Sequence, residues 1–179
     1  TIFNMTKLYC DTSNLIDIKK FIKYYNIDGV TTNPSIMRKE GVKNYKKQCL
    51  EILKLIKKKP LSVEVFADEN EEIINQAKEI SKWSKNIYVK VPVINTKGTF
   101  LKEIIKSLNN DNVKLNITAV FTLNQIKQIK KIINKKTPVI ISIFCGRIAD
   151  SGIDPEPLII KAKKIYKDYK NVKILWASV

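Results

Sequence analysis

One lysine in this lysine-rich chain stands apart by its neighbours. Lys90 lies inside Ile87-Tyr88-Val89-Lys90-Val91-Pro92, an apolar run of strand type. Alternation puts Val89 and Val91 on one face and Tyr88 and Lys90 on the other. A lysine within an apolar barrel is costly to charge, and a neutral amine is a nucleophile that can form a Schiff base with a ketone. The competing reading is a lysine whose stem lies on apolar surface while its head reaches water. Glu64, between Val63 and Val65, is a second charge inside an apolar strand, and Asp11 ends the first strand. Two carboxylates beside such a lysine can carry protons; alternatively Glu64 pairs with Lys90 and Asp11 caps a helix. Asn116 and Thr118 share a parity on the fifth strand, Ser142 shares one with Phe144 on the sixth, and Asn33 closes the second. These neutral hydrogen-bonding groups suit sugar hydroxyls. Arg147 follows the sixth strand in Gly146-Arg147-Ile148-Ala149-Asp150. An arginine there points to bidentate phosphate contact, or else to a surface ion pair.

The elements that must hold these groups alternate along the chain. Strand-type runs cover Lys7–Asp11, Gly29–Asn33, Leu61–Phe66, Ile87–Pro92, Lys114–Phe121, Pro138–Phe144 and Val172–Ser178. Between them run six amphipathic helical patterns, such as Leu15, Ile18, Phe21, Ile22 and Tyr25 on one face, or Ile126, Ile129, Ile132 and Ile133 on another. Asp154-Pro155 reads as an N-cap followed by proline at the first helical position. Seven strands and six helices in βα order predict a parallel sheet, either open or closed as a barrel. The first βα turn, Asp11-Thr12-Ser13-Asn14, has no glycine, so the dinucleotide fingerprint is missing, and no P-loop pattern occurs. Both points favour a parallel (β/α)8 TIM barrel, formed as one domain over residues 1–179. A barrel needs an eighth strand. The reading therefore expects that helix 7, strand 8 and helix 8 are missing from the C-terminal end, and that Thr1–Asn4 precede the natural start.

Composition narrows the function. The 179 residues carry 33 Lys plus Arg against 17 Asp plus Glu, a net charge of +16, and no histidine. Without histidine there are no His-based triads and no imidazole ligands or shuttles. The basic residues are all lysine except Arg38 and Arg147, whereas base-reading proteins lean on the arginine fork. With no RNA-binding aromatic motif and no helix-turn-helix turn, specific nucleic-acid binding is not expected. Cys10, Cys49 and Cys145 lack zinc or redox spacing and read as small buried apolar residues in a reducing compartment. No apolar run approaches the ~20 residues of a membrane span, and Thr1–Cys10 has no leader pattern. The expected location is the cytoplasm.

Beyond the residue types, three segments resemble a known family. Gly29-Val30-Thr31-Thr32-Asn33-Pro34-Ser35-Ile36 is similar to the first transaldolase signature. Val89-Lys90-Val91-Pro92 resembles the segment that carries the family's Schiff-base lysine, and Leu8-Tyr9-Cys10-Asp11-Thr12 its opening strand. The similarity runs from about Lys7 to Ser178. The family holds transaldolases, which move a dihydroxyacetone unit between phosphorylated sugars in the pentose phosphate pathway, and fructose-6-phosphate aldolases, which release or accept free dihydroxyacetone. The aldolase has glutamine on the third strand and tyrosine on the sixth, and lacks the fifth-strand asparagine. Here those positions are Glu64, Phe144 and Asn116, the transaldolase pattern.

The resemblance implies that Lys90 forms the imine and that Asp11 takes the C4 hydroxyl proton as the C3–C4 bond breaks. It implies that Glu64 and Thr118 position a proton-shuttling water. Asn33 and Asn116, with Ser142 nearby, would hold the dihydroxyacetone hydroxyls, and Arg147 and Ser178 the sugar phosphate. It implies neither metal nor cofactor, sugar phosphates as partners, and a homo-oligomeric ring or decamer built partly through a C-terminal helix. Two departures accompany it. The loop Val93–Gly98 is one residue longer than usual, and the family's second phosphate-binding arginine falls just past Ser178. Aldolase activity on the same site, a non-catalytic barrel and a basic nucleic-acid binder are the competing readings.

Overall fold

A computed structural model describes residues 6–178; the segment Thr1–Asn4 lies outside the described residues. The chain forms two compact units. One holds the described residues up to Glu64 together with Lys82–Ile87, and the other holds Val65–Ser81 and the described residues from Tyr88 onward.

In the first unit, β1 (Tyr9–Asp11), β2 (Gly29–Thr31) and β3 (Leu61–Glu64) follow one another as parallel strands. The helices are α1 (Leu15–Tyr25), α2 (Pro34–Lys39) and α3 (Tyr45–Ile56). Asn14 caps α1 by accepting from the N–H groups of Ile16 and Asp17, which satisfies donors that the helix cannot. Asn26 ends α1 in the left-handed conformation, at φ 44°. Helix α1 packs on α3, and Ile18, Ile52, Ile56, Cys49, Val30 and Leu61 are buried in this unit. Gly29 faces the Tyr9 ring so closely that a Cβ would collide with it.

In the second unit, which holds β4 (Ile87–Pro92) from Tyr88 onward, β4 is parallel to β5 (Leu115–Val120), β5 to β6 (Val139–Phe144), and β6 to β7 (Val172–Ala177). Helices α4 (Asn70–Ser81), α5 (Lys102–Asn110), α6 (Leu123–Ile132), α7 (Cys145–Asp150) and α8 (Glu156–Ile165) alternate with them. Helix α6 opens with a capping box, in which Thr122 and Gln125 each bond the other's backbone. Tyr166 donates to the Ile126 carbonyl at 2.9 Å, tying the end of α8 to α6. The apolar face read from Ile126, Ile129, Ile132 and Ile133 is buried throughout. Within each unit strand order follows chain order, β1-β2-β3 in the first and β4-β5-β6-β7 in the second. Parallel strands in that order, joined through helices, are the architecture of the TIM-barrel class.

Three details differ from the sequence reading. The helices number eight among the described residues, because α2 and α7 are six-residue helices, too short for a periodic face. Most strands are shorter than read, and β1, β2 and β3 each lose two residues. The Leu8 N–H goes to the Asp28 carboxylate at 2.9 Å instead of to a neighbouring strand, and the Phe66 N–H goes to the Gln76 side chain at 3.0 Å. Helix α8 starts one residue later than the Asp154-Pro155 cap predicts: Pro155 is the cap residue, and Asp154 instead accepts from the Glu156 N–H at 3.0 Å.

Candidate active site

The strand interiors of the second unit carry a row of buried polar groups. Lys90 lies in β4, only 7% exposed, between Val89 and Val91 on the opposite face. Register sets it beside Asn116 on β5, and Pro92 beside Thr118. Asn116, Thr118 and Ser142 are all buried. Ser142 of β6 donates its hydroxyl to Asn116 Oδ1 at 2.6 Å, which fixes which end of the amide is the acceptor. The Thr118 hydroxyl has no hydrogen-bond partner among the described residues. Burying a hydroxyl in that state costs about 1–3 kcal/mol, a cost that a polar ligand can relieve. Directly after Thr118, Ala119 takes a positive φ of 56° and the β5–β6 register shifts. Such a bulge re-aims side chains at the end of a strand.

Beyond β6, Phe144 meets Phe121 edge to face, with ring centroids 5.5 Å apart. Helix α7 then presents two faces. Cys145 and Ile148 are buried, while Arg147 is 68% exposed and pairs with Asp150 at 3.4 Å. The surface ion pair kept open by the sequence reading is therefore present, and so loose a pair leaves the guanidinium able to exchange partners. Ser178 follows β7, half-buried and at φ 58°. The loop after β4 closes as a small hairpin in which Ile94 bridges Phe100, with Gly98 at φ 78°. Asp68 pins its tip by accepting from the Thr96 N–H at 3.0 Å and from its hydroxyl at 2.5 Å. These bonds hold the Asp68 carboxyl below its usual range.

The first unit carries the carboxylates. Asp11, exposed at the end of β1, accepts from the Thr31 hydroxyl at 2.7 Å, across the β1–β2 register. Asn33 caps α2, its Oδ1 accepting from the Ile36 N–H at 2.8 Å. The sequence reading made Asn33 a hydroxyl binder and did not foresee this cap, although Asn before Pro is a helix-start signal. The Glu64 side chain is half-buried, and its backbone carbonyl accepts from the Tyr45 hydroxyl at 2.8 Å. Burial pushes the Tyr45 phenol well above its usual range, so it stays a donor. Thr31 and Tyr45 escaped the sequence reading. The Thr31 contact depends on the β1–β2 register, and the Tyr45 contact spans 19 residues, so neither has a local signal.

A parallel βα protein with a lysine buried in a strand interior among neutral hydrogen-bonding groups is the class that fold and site define. The family described as Transaldolase/Fructose-6-phosphate aldolase matches this chain over residues 8–179, and the chain belongs to it. It is similar to a probable transaldolase of Dehalococcoides mccartyi, 36% identical over 97% of this chain and 77% of that protein. A probable transaldolase of Nitrosopumilus maritimus is 37% identical over 97% of this chain and 74% of its own length. One of Carboxydothermus hydrogenoformans is 35% identical over 97% and 77%.

Proposed function

We propose that this chain transfers a dihydroxyacetone unit from a ketose phosphate to an aldose phosphate through a Schiff base on Lys90. The observation that carries the reading is the burial of Lys90 beside Asn116, with Ser142 bonded to that same amide. In this reading the Lys90 amine adds to the C2 carbonyl of the ketose and water leaves, forming the iminium. Asp11 takes the C4 hydroxyl proton, the C3–C4 bond breaks, and its electron pair flows into the iminium nitrogen as the enamine forms. The aldose phosphate departs. A second aldose phosphate accepts C3, and water then releases the new ketose. Glu64 and Thr118 hold the water that moves protons in the imine steps, and the unpartnered Thr118 hydroxyl supports that role. Asn33, Asn116 and Ser142 hold the donor's hydroxyls. Arg147 and Ser178 take the phosphate, in keeping with the exposure of the guanidinium.

Release of free dihydroxyacetone is the second reading, and Glu64, Phe144 and Asn116 weigh against it. The testing experiment is borohydride trapping with fructose 6-phosphate, followed by peptide mass mapping. A reduced three-carbon adduct on Lys90, whose yield falls when erythrose 4-phosphate is added before the borohydride, is the expected result. No adduct on folded protein removes the enzyme reading; an adduct that hydrolyses to dihydroxyacetone before the acceptor can react favours the aldolase.

A further inference from the structure

We propose that Glu40 is a positioning residue for Asp11, fixing the turn between β1 and α1 so that the Asp11 carboxylate meets its proton. The inference rests on the reading of Asp11 given above. Both Glu40 oxygens are engaged. Oε1 accepts from the Thr12 hydroxyl at 2.8 Å, while Oε2 accepts from the Ser13 N–H at 2.9 Å and also from the Ser13 hydroxyl. Thr12 Oγ1 in turn accepts from the Asn14 N–H at 3.1 Å, and Gln48 of α3 donates to the Ser13 carbonyl at 2.6 Å. Every residue of the turn after Asp11 is thus tied, directly or through Thr12, to one carboxylate 27–28 positions away.

Helix energetics do not account for that carboxylate. Glu40 is the C-cap of α2, where the helix dipole disfavours negative charge and the preceding Arg38 and Lys39 are the favoured kind. Its partners account for it. Thr12 and Ser13 are buried, and their hydroxyls need acceptors. Strand β1 is three residues long, with Asp11 its last. Beyond Asp11 the strand ladder adds only the Thr12 N–H to Thr31 carbonyl bond at 3.1 Å. Thr31 sets the rotation of the Asp11 carboxylate, and Glu40 sets the backbone on which that carboxylate is mounted.

The two chemical stages separate this role from general support of the fold. Imine formation with free dihydroxyacetone needs Lys90 but breaks no carbon–carbon bond. Cleavage of fructose 6-phosphate needs Asp11 to take the C4 hydroxyl proton while the C3–C4 pair enters the iminium and C4 leaves as an aldehyde. Glu40→Gln turns one acceptor oxygen into a donor facing donors. Both stages are to be measured on the folded, full chain: borohydride trapping with dihydroxyacetone, and single-turnover release of glyceraldehyde 3-phosphate. Expected for Glu40→Gln is trapping within about twofold of the parent and cleavage slowed roughly tenfold, since small misplacements of a reacting group carry penalties of that size or larger. Ser13→Ala, which removes one donor, should slow cleavage alone by about threefold and serves if Glu40→Gln does not fold. Equal loss in both stages, or loss in neither, overturns the proposal. No adduct on the parent protein overturns the Schiff-base reading itself, so the two failures are told apart.

Discussion

Two buried polar clusters lie within the second unit, and they are wired differently. At the start of β6, Asn134 donates to the Asn109 carbonyl at 3.1 Å and accepts from the N–H groups of Lys136 and Thr137, each at 2.8 Å. Thr137 donates to the Asn109 carbonyl at 2.9 Å, and Asn171 donates to the carbonyls of Asn134 and Thr137. Nearly every bond there ends on backbone. In the strand interiors, the Ser142 bond to Asn116 runs from side chain to side chain. Lys90 is buried beside it, and the Thr118 hydroxyl lacks a partner. A cluster that satisfies backbone where helix gives way to strand serves the fold. Unpartnered polar atoms occur in both, Thr118 Oγ1 in one and Asn109 Nδ2 and Asn171 Oδ1 in the other; what sets the strand-interior cluster apart is a bond from side chain to side chain beside a buried lysine, which in the proposed reading faces the substrate.

The hardest break of that contrast is Lys90→Met, which keeps length and removes the amine. Turnover and borohydride trapping should fall by about 10³-fold or more, as when a covalent nucleophile is lost. Stability by urea titration should change by no more than about 1.5 kcal/mol, because an unbranched thioether of similar length fills the same space. A variant that unfolds instead would place Lys90 with the structural cluster.

The next test exchanges the clusters. Asn134→Ala strips the β6 turn of four hydrogen bonds and leaves the Lys136 and Thr137 donors without that acceptor. It should cost about 3 kcal/mol by urea titration, while adduct formation per folded molecule stays unchanged. Ser142→Ala removes the donor to Asn116 Oδ1. It should cost about 1–2 kcal/mol and should also slow trapping several-fold, because the amide that faces the substrate in the proposed reading loses its orientation. If both variants change stability and trapping in the same ratio, the distinction between the clusters fails.

The same contrast shows what the sequence could reveal. Lys90 was legible because a charge interrupts strict apolar alternation, and the parity of Asn116, Thr118 and Ser142 followed from the two-residue period. The bond between Asn116 and Ser142 was not legible. It depends on how β5 and β6 align, and that register shifts between Ile117 and Val120. Helix α7 was invisible to periodicity at six residues, so Arg147 read only as following the sixth strand. The Asn109, Asn134, Thr137 and Asn171 network left no trace, because its members come from the last turn of α5 and two separate connections and bond mainly to main chain. Periodic elements and broken patterns are local; wiring across registers and turns is not.

The smallest expected effect belongs to the thiols, which fall on the structural side of the contrast. All three cysteines are free and buried. Burial pushes Cys10 and Cys145 up to about 11 and Cys49 up to about 12, from a usual value of 9.0. The unfolded chain sheds these protons near pH 9 while the folded chain keeps them, so between those values the native state binds more protons and stability falls as pH rises. The contribution is intact below pH 9 and is lost on the way to pH 11–12. Replacing the most deeply raised thiol, Cys49→Ala, should therefore flatten the decline in urea midpoint between pH 8 and pH 10, by a free energy of about 1 kcal/mol. Iodoacetamide at pH 8 should leave trapping by Lys90 untouched, since the reactive thiolate is scarce in the folded state. If alkylation blocks trapping, a thiol reaches solvent in the native protein. Cys10, adjoining Asp11, would then join the groups able to act on substrate, and burial alone would no longer separate structural from chemical side chains.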